Sequence, residues 1–135
     1  MTSPKQDPQI IMGVDPGDVT GMCTLTVDED SMTFLSGETL SLRDVASHII
    51  DTCPDAVVVE NYIIRPHRPQ NATQALKTIG VVEYLCNERG IPMIMQQPSI
   101  PERYKDQAKE YVAGRHARSA CAHVLYYLDR LRYGK

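Results

Sequence analysis

The sequence predicts an α/β fold, a sheet flanked by helices, and three observations carry that expectation. Two short apolar runs, Ile10 to Val14 and Ala56 to Val59, have the composition of strands buried on both faces. Each run ends in a carboxylate, Asp15 and Glu60. Around them, apolar residues recur at helical spacing in three longer stretches, so strands and helices alternate along most of the chain.

At 135 residues the chain is one domain of ordinary size, read as a loose tail over residues 1–9 and a single domain over 10–135. Met1 to Pro8 is polar and proline-rich, unlike a secretory signal. Apolar runs of four or five residues are too short to span a membrane. Cys23, Cys53, Cys86 and Cys121 lie far apart among apolar neighbours, which suits buried free thiols in a reducing, cytoplasmic setting. Charge is unevenly divided. Residues 1–60 hold two Lys or Arg against eleven acids, whereas residues 61–135 hold twelve against six. A basic half suits a polyanionic partner, although a chance distribution over a folded surface would look the same.

Ile10 to Val27 organises the chain as two strands around the Pro16-Gly17 turn. Thr24 to Val27 has the β-branched composition of a pairing strand. Ser31 to Leu35 is a third strand. Ser41 with Asp44 resembles a capping box, and Leu42, Val45, Ala46, Ile49 and Ile50 mark one face of the helix that follows, closed by Pro54. Asn61 to Gln70 is excluded from a helix by Pro66 and Pro69. The next helix runs from about Ala72 to Asn87, with Ala75, Ile79, Val82 and Cys86 inward and Val81 and Leu85 broadening its apolar arc enough to permit a dimer contact. Pro92 to Gln96 is the last strand, Gln97 to Gly114 a polar segment. A final helix covers about Arg115 to Leu131, its buried stripe marked by Ala120, Val124, Leu128 and Leu131.

A carboxylate at the end of a buried strand is costly unless solvated, paired or holding a metal. If the Glu60 strand lies parallel and adjacent to the Asp15 strand, the two acids stand together at the strand carboxyl ends, where open sheets bind ligands. Two such carboxylates repel unless one is protonated or a divalent cation lies between them. The other reading is two unrelated strand-end acids. Tyr62, Arg65, His67 and Arg68 follow Glu60 directly, a composition that suits phosphate-backbone contact and equally an ordinary solvated loop.

The element order, Asp15-Pro16-Gly17 with Thr20-Gly21, Val57 to Glu60, and the closing Gly114 to Leu128 segment together resemble the RuvC-type Holliday junction resolvases of the ribonuclease H-like superfamily. The closing segment is similar to the terminal helix of phage-borne members. The resemblance implies a mixed five-stranded sheet flanked by helices. It also implies a site of four residues binding two Mg2+ ions, with Mn2+ as a substitute. By position these are Asp15, Glu60, His116 and Ser119. The last two lie three residues apart and so face one way on a helix.

The implied activity is structure-selective DNA hydrolysis that resolves four-way junctions. In it Asp15 bridges the ions, while Glu60 and His116 each hold one. Branched DNA is the implied partner, contacted by Arg65, His67, Arg68, Lys105, Lys109 and Arg115. The implied assembly is a homodimer through helix 72–87, acting in the cytoplasm, or the host cytoplasm for a phage-encoded chain. Ser119 departs from the family, which has Asp there. A serine hydroxyl is a neutral, weak ligand for Mg2+. A weaker but working site helped by Asp18 or His123, a junction-binding protein that no longer cuts, and an inactivating substitution all fit that departure. A ribonuclease H-like nuclease acting on RNA or hybrids is the alternative on the same fold.

Overall fold

The computed structural model describes residues 8–17, 19–28, 31–61 and 69–133. Five strands make one sheet: β1 (Gln9–Asp15), β2 (Thr20–Val27), β3 (Met32–Leu40), β4 (Ala56–Glu60) and β5 (Met93–Gln96). Their order is β3-β2-β1-β4-β5. β1, β2 and β3 form an antiparallel meander, while β4 pairs in parallel with β1 on one side and β5 on the other. The sheet is therefore mixed, as expected. Helices α1 (Leu42–Thr52), α2 (Pro69–Arg89), α3 (Glu102–Ala108) and α4 (Arg115–Tyr133) complete the fold.

Strand alternation sorts side chains between two cores. Met12, Val14, Met22, Val57 and Val59 point to the face covered by α1 and α2, where Val45, Ile49, Val82 and Cys86 meet them. Ile11, Cys23, Leu25, Ala56 and Val58 point to the other face, covered by α3 and α4 through Tyr104, Ala108, Ala117, Ala120, Cys121, Val124 and Leu128. The alternation puts Asp15 and Glu60 on the α4 face. Both strands are valine- and isoleucine-rich because neither side sees water.

Helix α4 lies unusually close to the sheet. A Cβ on Gly13 would stand 2.3 Å from the Ala120 carbonyl oxygen, and one on Gly21 would stand 2.0 Å from that of His116. Two glycines on neighbouring strands thus make the groove that admits the backbone of α4. The Cys23 and Cys121 thiols hydrogen-bond across the same junction, and that bond, with burial, pushes the Cys23 thiol well above its usual range. Helix α3 is tied to α4 by Tyr104, whose hydroxyl donates to Asp129, with Arg103 stacked 4.9 Å over the Tyr104 ring.

Several local expectations need correction. Helix α2 begins at Pro69, not near Ala72. Proline bars a helix interior but suits its first turn, where its missing N–H would have no intrahelical acceptor. The segment 97–114 contains α3, whose Tyr104 and Ala108 supply a short apolar face of only one repeat. β3 extends to Leu40. Ser41 sits at the α1 N-cap, but its hydroxyl bonds Asp44 at 3.1 Å instead of a backbone N–H, so the capping box is incomplete. Cys53 is an exposed residue in the left-handed conformation that ends α1, whereas the other three cysteines are buried and free. Leu131 is 63% exposed and lies outside the α4 stripe. Among the described residues no helix is long and apolar enough to cross a membrane.

Candidate active site

Asp15 and Glu60 end adjacent parallel strands. The β1–β4 register pairs Val14 with Val59, which brings the next residues of both strands to one edge. Their side chains are only 13% and 19% exposed. Packed this close, each disfavours ionisation of the other. The Asp15 carboxyl is accordingly pushed up to about 8, first by burial and then by Glu60 beside it. His116 and Ser119 pull the other way. Parallel adjacency was the condition for bringing the acids together, and it is met.

The first two turns of α4 lie over this pair. His116 Nδ1 stands 3.7 Å from Asp15 Oδ2, beyond hydrogen-bond range but close enough for charge attraction. The Ser119 hydroxyl lies near enough to the Asp15 carboxyl to favour its ionised form. One turn further, His123 is 1% exposed, its Nε2 lying 3.2 Å from Glu60 Oε1 and its Nδ1 2.7 Å from Gln96 Oε1. His116, Ser119 and His123 follow the i, i+3, i+7 spacing of one helix stripe. Burial, against an opposing Asp15 charge and reinforced by Lys105, lowers the His123 pKa to about 4, so its ring is neutral at ordinary pH.

Gln96 is the residue that the sequence did not mark. Its signal lies in register: β5 pairs Gln96 with Glu60, so the third parallel strand also ends in a polar group at the same edge. The Asn61 N–H donates to the Gln96 carbonyl at 2.7 Å and holds the two strand ends together. Asp18, Arg65, His67 and Arg68 lie outside the described residues. Lys105 is near enough to His123 to act on its ring, and it pairs with Glu102 at 3.9 Å. Lys109 pairs with Asp106 at 3.3 Å on the exposed side of α3, and Arg115 is exposed at the first turn of α4.

The donor set fits a hard divalent cation in part. Two nearly buried carboxyls that repel one another are a place where a cation can relieve that repulsion. Among the described residues no three His, Cys, Asp or Glu side chains already enclose one point. The donors instead stand as two pairs, Asp15 with His116 and Glu60 with His123, joined where the two acids meet. Ser119 adds an oxygen without charge.

No family model matches the sequence, and no curated protein matches it significantly. Solved structures do match the fold. Thermus thermophilus RuvC in complex with Holliday junction substrate superposes with a TM-score of 0.76 at 19% identity, covering 94% of this chain and 97% of that one. The Fowlpox virus resolvase in complex with Holliday junction DNA gives 0.61 at 16% identity, covering 92% and 97%. The chain thus has the ribonuclease H-like fold of the RuvC-type resolvases, over nearly its full length.

Proposed function

We propose that this protein is a divalent-metal-dependent endonuclease that resolves four-way DNA junctions. The observation that carries the reading is the Asp15–Glu60 pair, buried at the ends of parallel strands beneath one stripe of α4. The two similar resolvases were each solved with junction DNA, and their fold matches end to end. Ions held by Asp15 and Glu60, with His116 and Ser119 from α4, would supply the Lewis acidity and charge neutralisation that phosphodiester hydrolysis needs. In this reading Asp15 serves both ions, while Glu60 and His116 each serve one. The helix stripe keeps the acids turned toward incoming phosphate, and the apolar sheet behind them excludes water from the other side. Mg2+ is the expected ion, with Mn2+ able to substitute. Arg65, His67, Arg68, Lys105, Lys109 and Arg115 are proposed contacts to DNA phosphates, and the charge of Lys105 is felt by the His123 ring.

Cleavage of a labelled four-way junction in Mg2+ and in Mn2+, beside duplex, flap and RNA–DNA hybrid, tests the reading. Preferential, metal-dependent nicking of the junction supports it. Preference for the hybrid would move the chain to the ribonuclease H-like alternative. Ser119 favours one further reading, a protein that binds junctions without cutting them, because the third carboxylate is absent. Ser119→Asp is therefore expected to raise Mg2+-dependent cleavage by at least about tenfold, since it adds a charged oxygen ligand beside Asp15. Cutting by the variant alone would show that the natural chain only binds.

A junction has near two-fold symmetry, and a C2 dimer places one site on each of two strands. The proposed contact is α2. Leu76 and Tyr84 are 45% and 64% exposed there, and Gly80, one turn from each, has open space around its Cβ position. The stripe differs from the Val81 and Leu85 flank that periodicity suggested. A flat centre between two apolar side chains suits close approach of a second helix. Leu76→Glu with Tyr84→Glu is expected to convert a dimer to a monomer by light scattering, with junction strands then cut singly. An unchanged mass would remove α2 from the interface.

A further inference from the structure

His123 is an odd residue for its place. It sits midway along an apolar helix between Ala122 and Val124, both fully buried, and is itself 1% exposed. Among the described residues it is the only fully buried histidine, and neither of its nitrogens is idle. Gln96 Oε1 lies 2.7 Å from Nδ1, and in the tautomer that donates Nδ1–H to it the Nε2 lone pair is directed at the acid pair. A ring whose far N–H is held by a carbonyl oxygen is the usual arrangement of a histidine that binds metal through its other nitrogen.

The spacing agrees. Nε2 and Glu60 Oε1 are 3.2 Å apart, close to the edge of about 3 Å between neighbouring ligands of an octahedral ion with bonds of about 2.1 Å. Ser119, one turn earlier on the same stripe, supplies only a neutral hydroxyl. We propose that His123 Nε2 is a metal ligand that, with Glu60, binds an ion on α4 more strongly than the neutral Ser119 hydroxyl does, and that this nitrogen donor makes the site favour Mn2+ over Mg2+. Imidazole nitrogen suits transition-metal ions better than Mg2+, which favours oxygen. Gln96 is then the residue that orients the ligand. The inference rests on the metal-dependent reading above, so its test reads metal binding directly.

Pulsed electron paramagnetic resonance of the Mn2+-loaded full-length protein reports whether an imidazole nitrogen is bonded to the ion. In the double variant His67→Ala with His116→Ala, the nitrogen coupling should persist, because His123 is untouched. In His123→Asn it should weaken or vanish. Mn2+ affinity by calorimetry should there fall about 10- to 100-fold, the scale of losing a group that holds a metal site. Mg2+ affinity should fall less. Loss of the coupling in the double variant overturns the proposal even if His123→Asn fails to fold. So does an unchanged coupling in His123→Asn, as it would if Gln96 donated to Nδ1 and His123 merely oriented Glu60 through Nε2–H. Failure of the natural protein to bind Mn2+ at all would overturn the metal-dependent reading as well, which separates the two.

Discussion

Asp15→Asn is expected to abolish junction cleavage while making the metal-free protein more stable at neutral pH. Both effects have one cause. Asp15 is held in a nearly buried site against Glu60, with its carboxyl pushed up to about 8 from an ordinary 3.8. A folded-state pKa above the unfolded value means that the native state binds a proton more tightly. The contribution of Asp15 to stability is therefore greatest below about pH 4 and is lost as pH rises through the window to about 8, at a slope of at most about 1.4 kcal/mol per unit. Asparagine carries no charge to bury and can donate to Glu60 instead. The gain in melting temperature over the natural protein should be small at pH 4 to 5 and grow toward pH 8. Saturating Mn2+ or Mg2+ should reverse the ranking, because the ion binds more tightly to, and so stabilises more, the chain that keeps both carboxylates. Cleavage should fall by at least about 10²- to 10³-fold, the scale of losing one group that stabilises transition-state charge. Thermal melts across pH, with and without metal, together with junction nicking check all three expectations. A variant that still cuts would remove Asp15 from the site.

How far these residues could be read in advance depended on what kind of interaction holds each one. Asp15 and Glu60 were legible because a carboxylate that closes a run of buried β-branched residues contradicts its surroundings, and such a contradiction is local. Their adjacency was only conditional, since it hangs on the parallel β1–β4 pairing across forty intervening residues. His116 and Ser119 came from resemblance and from helical spacing. Gln96 escaped because nothing in Met93 to Gln96 by itself distinguishes a glutamine that ends a strand from one that faces solvent. Only the β4–β5 register gives it a partner. His123 reads locally as one polar residue in an apolar stripe, and its role depends on two strands that are distant in sequence. Helix α3 was hidden for another reason. Seven residues with two buried side chains present too short a period to recognise, and Tyr104 is held by Asp129, twenty-five positions away.

Gly13→Ala and Gly21→Ala test the part of the site that periodicity could not reveal, which is how closely α4 approaches the sheet. Each added methyl would meet backbone carbonyl oxygen, that of Ala120 at 2.3 Å or of His116 at 2.0 Å. Neither obstacle is the end of a flexible side chain, so the helix itself must move. Overpacking of this kind costs about 1–3 kcal/mol and more where backbone is displaced, equivalent to a fall in melting temperature on the order of 10 °C for a chain of this size. The functional loss should exceed the loss of stability. His116 already stands 3.7 Å from Asp15, and His123 Nε2 lies 3.2 Å from Glu60 Oε1, so a shift of α4 by even an ångström separates both pairs. Measured well below its lowered melting temperature, Gly21→Ala should therefore bind Mn2+ more weakly and cut less, although still folded by circular dichroism. Gly80→Ala is a control for stability alone, because its methyl would enter open space within the chain and adds helix propensity, while Gly80 itself lies in the proposed α2 contact. That variant should melt at or slightly above the natural temperature. If Gly21→Ala binds metal and cuts as well as the natural protein does, the position of α4 does not set the site, and the acids at the strand ends suffice without it.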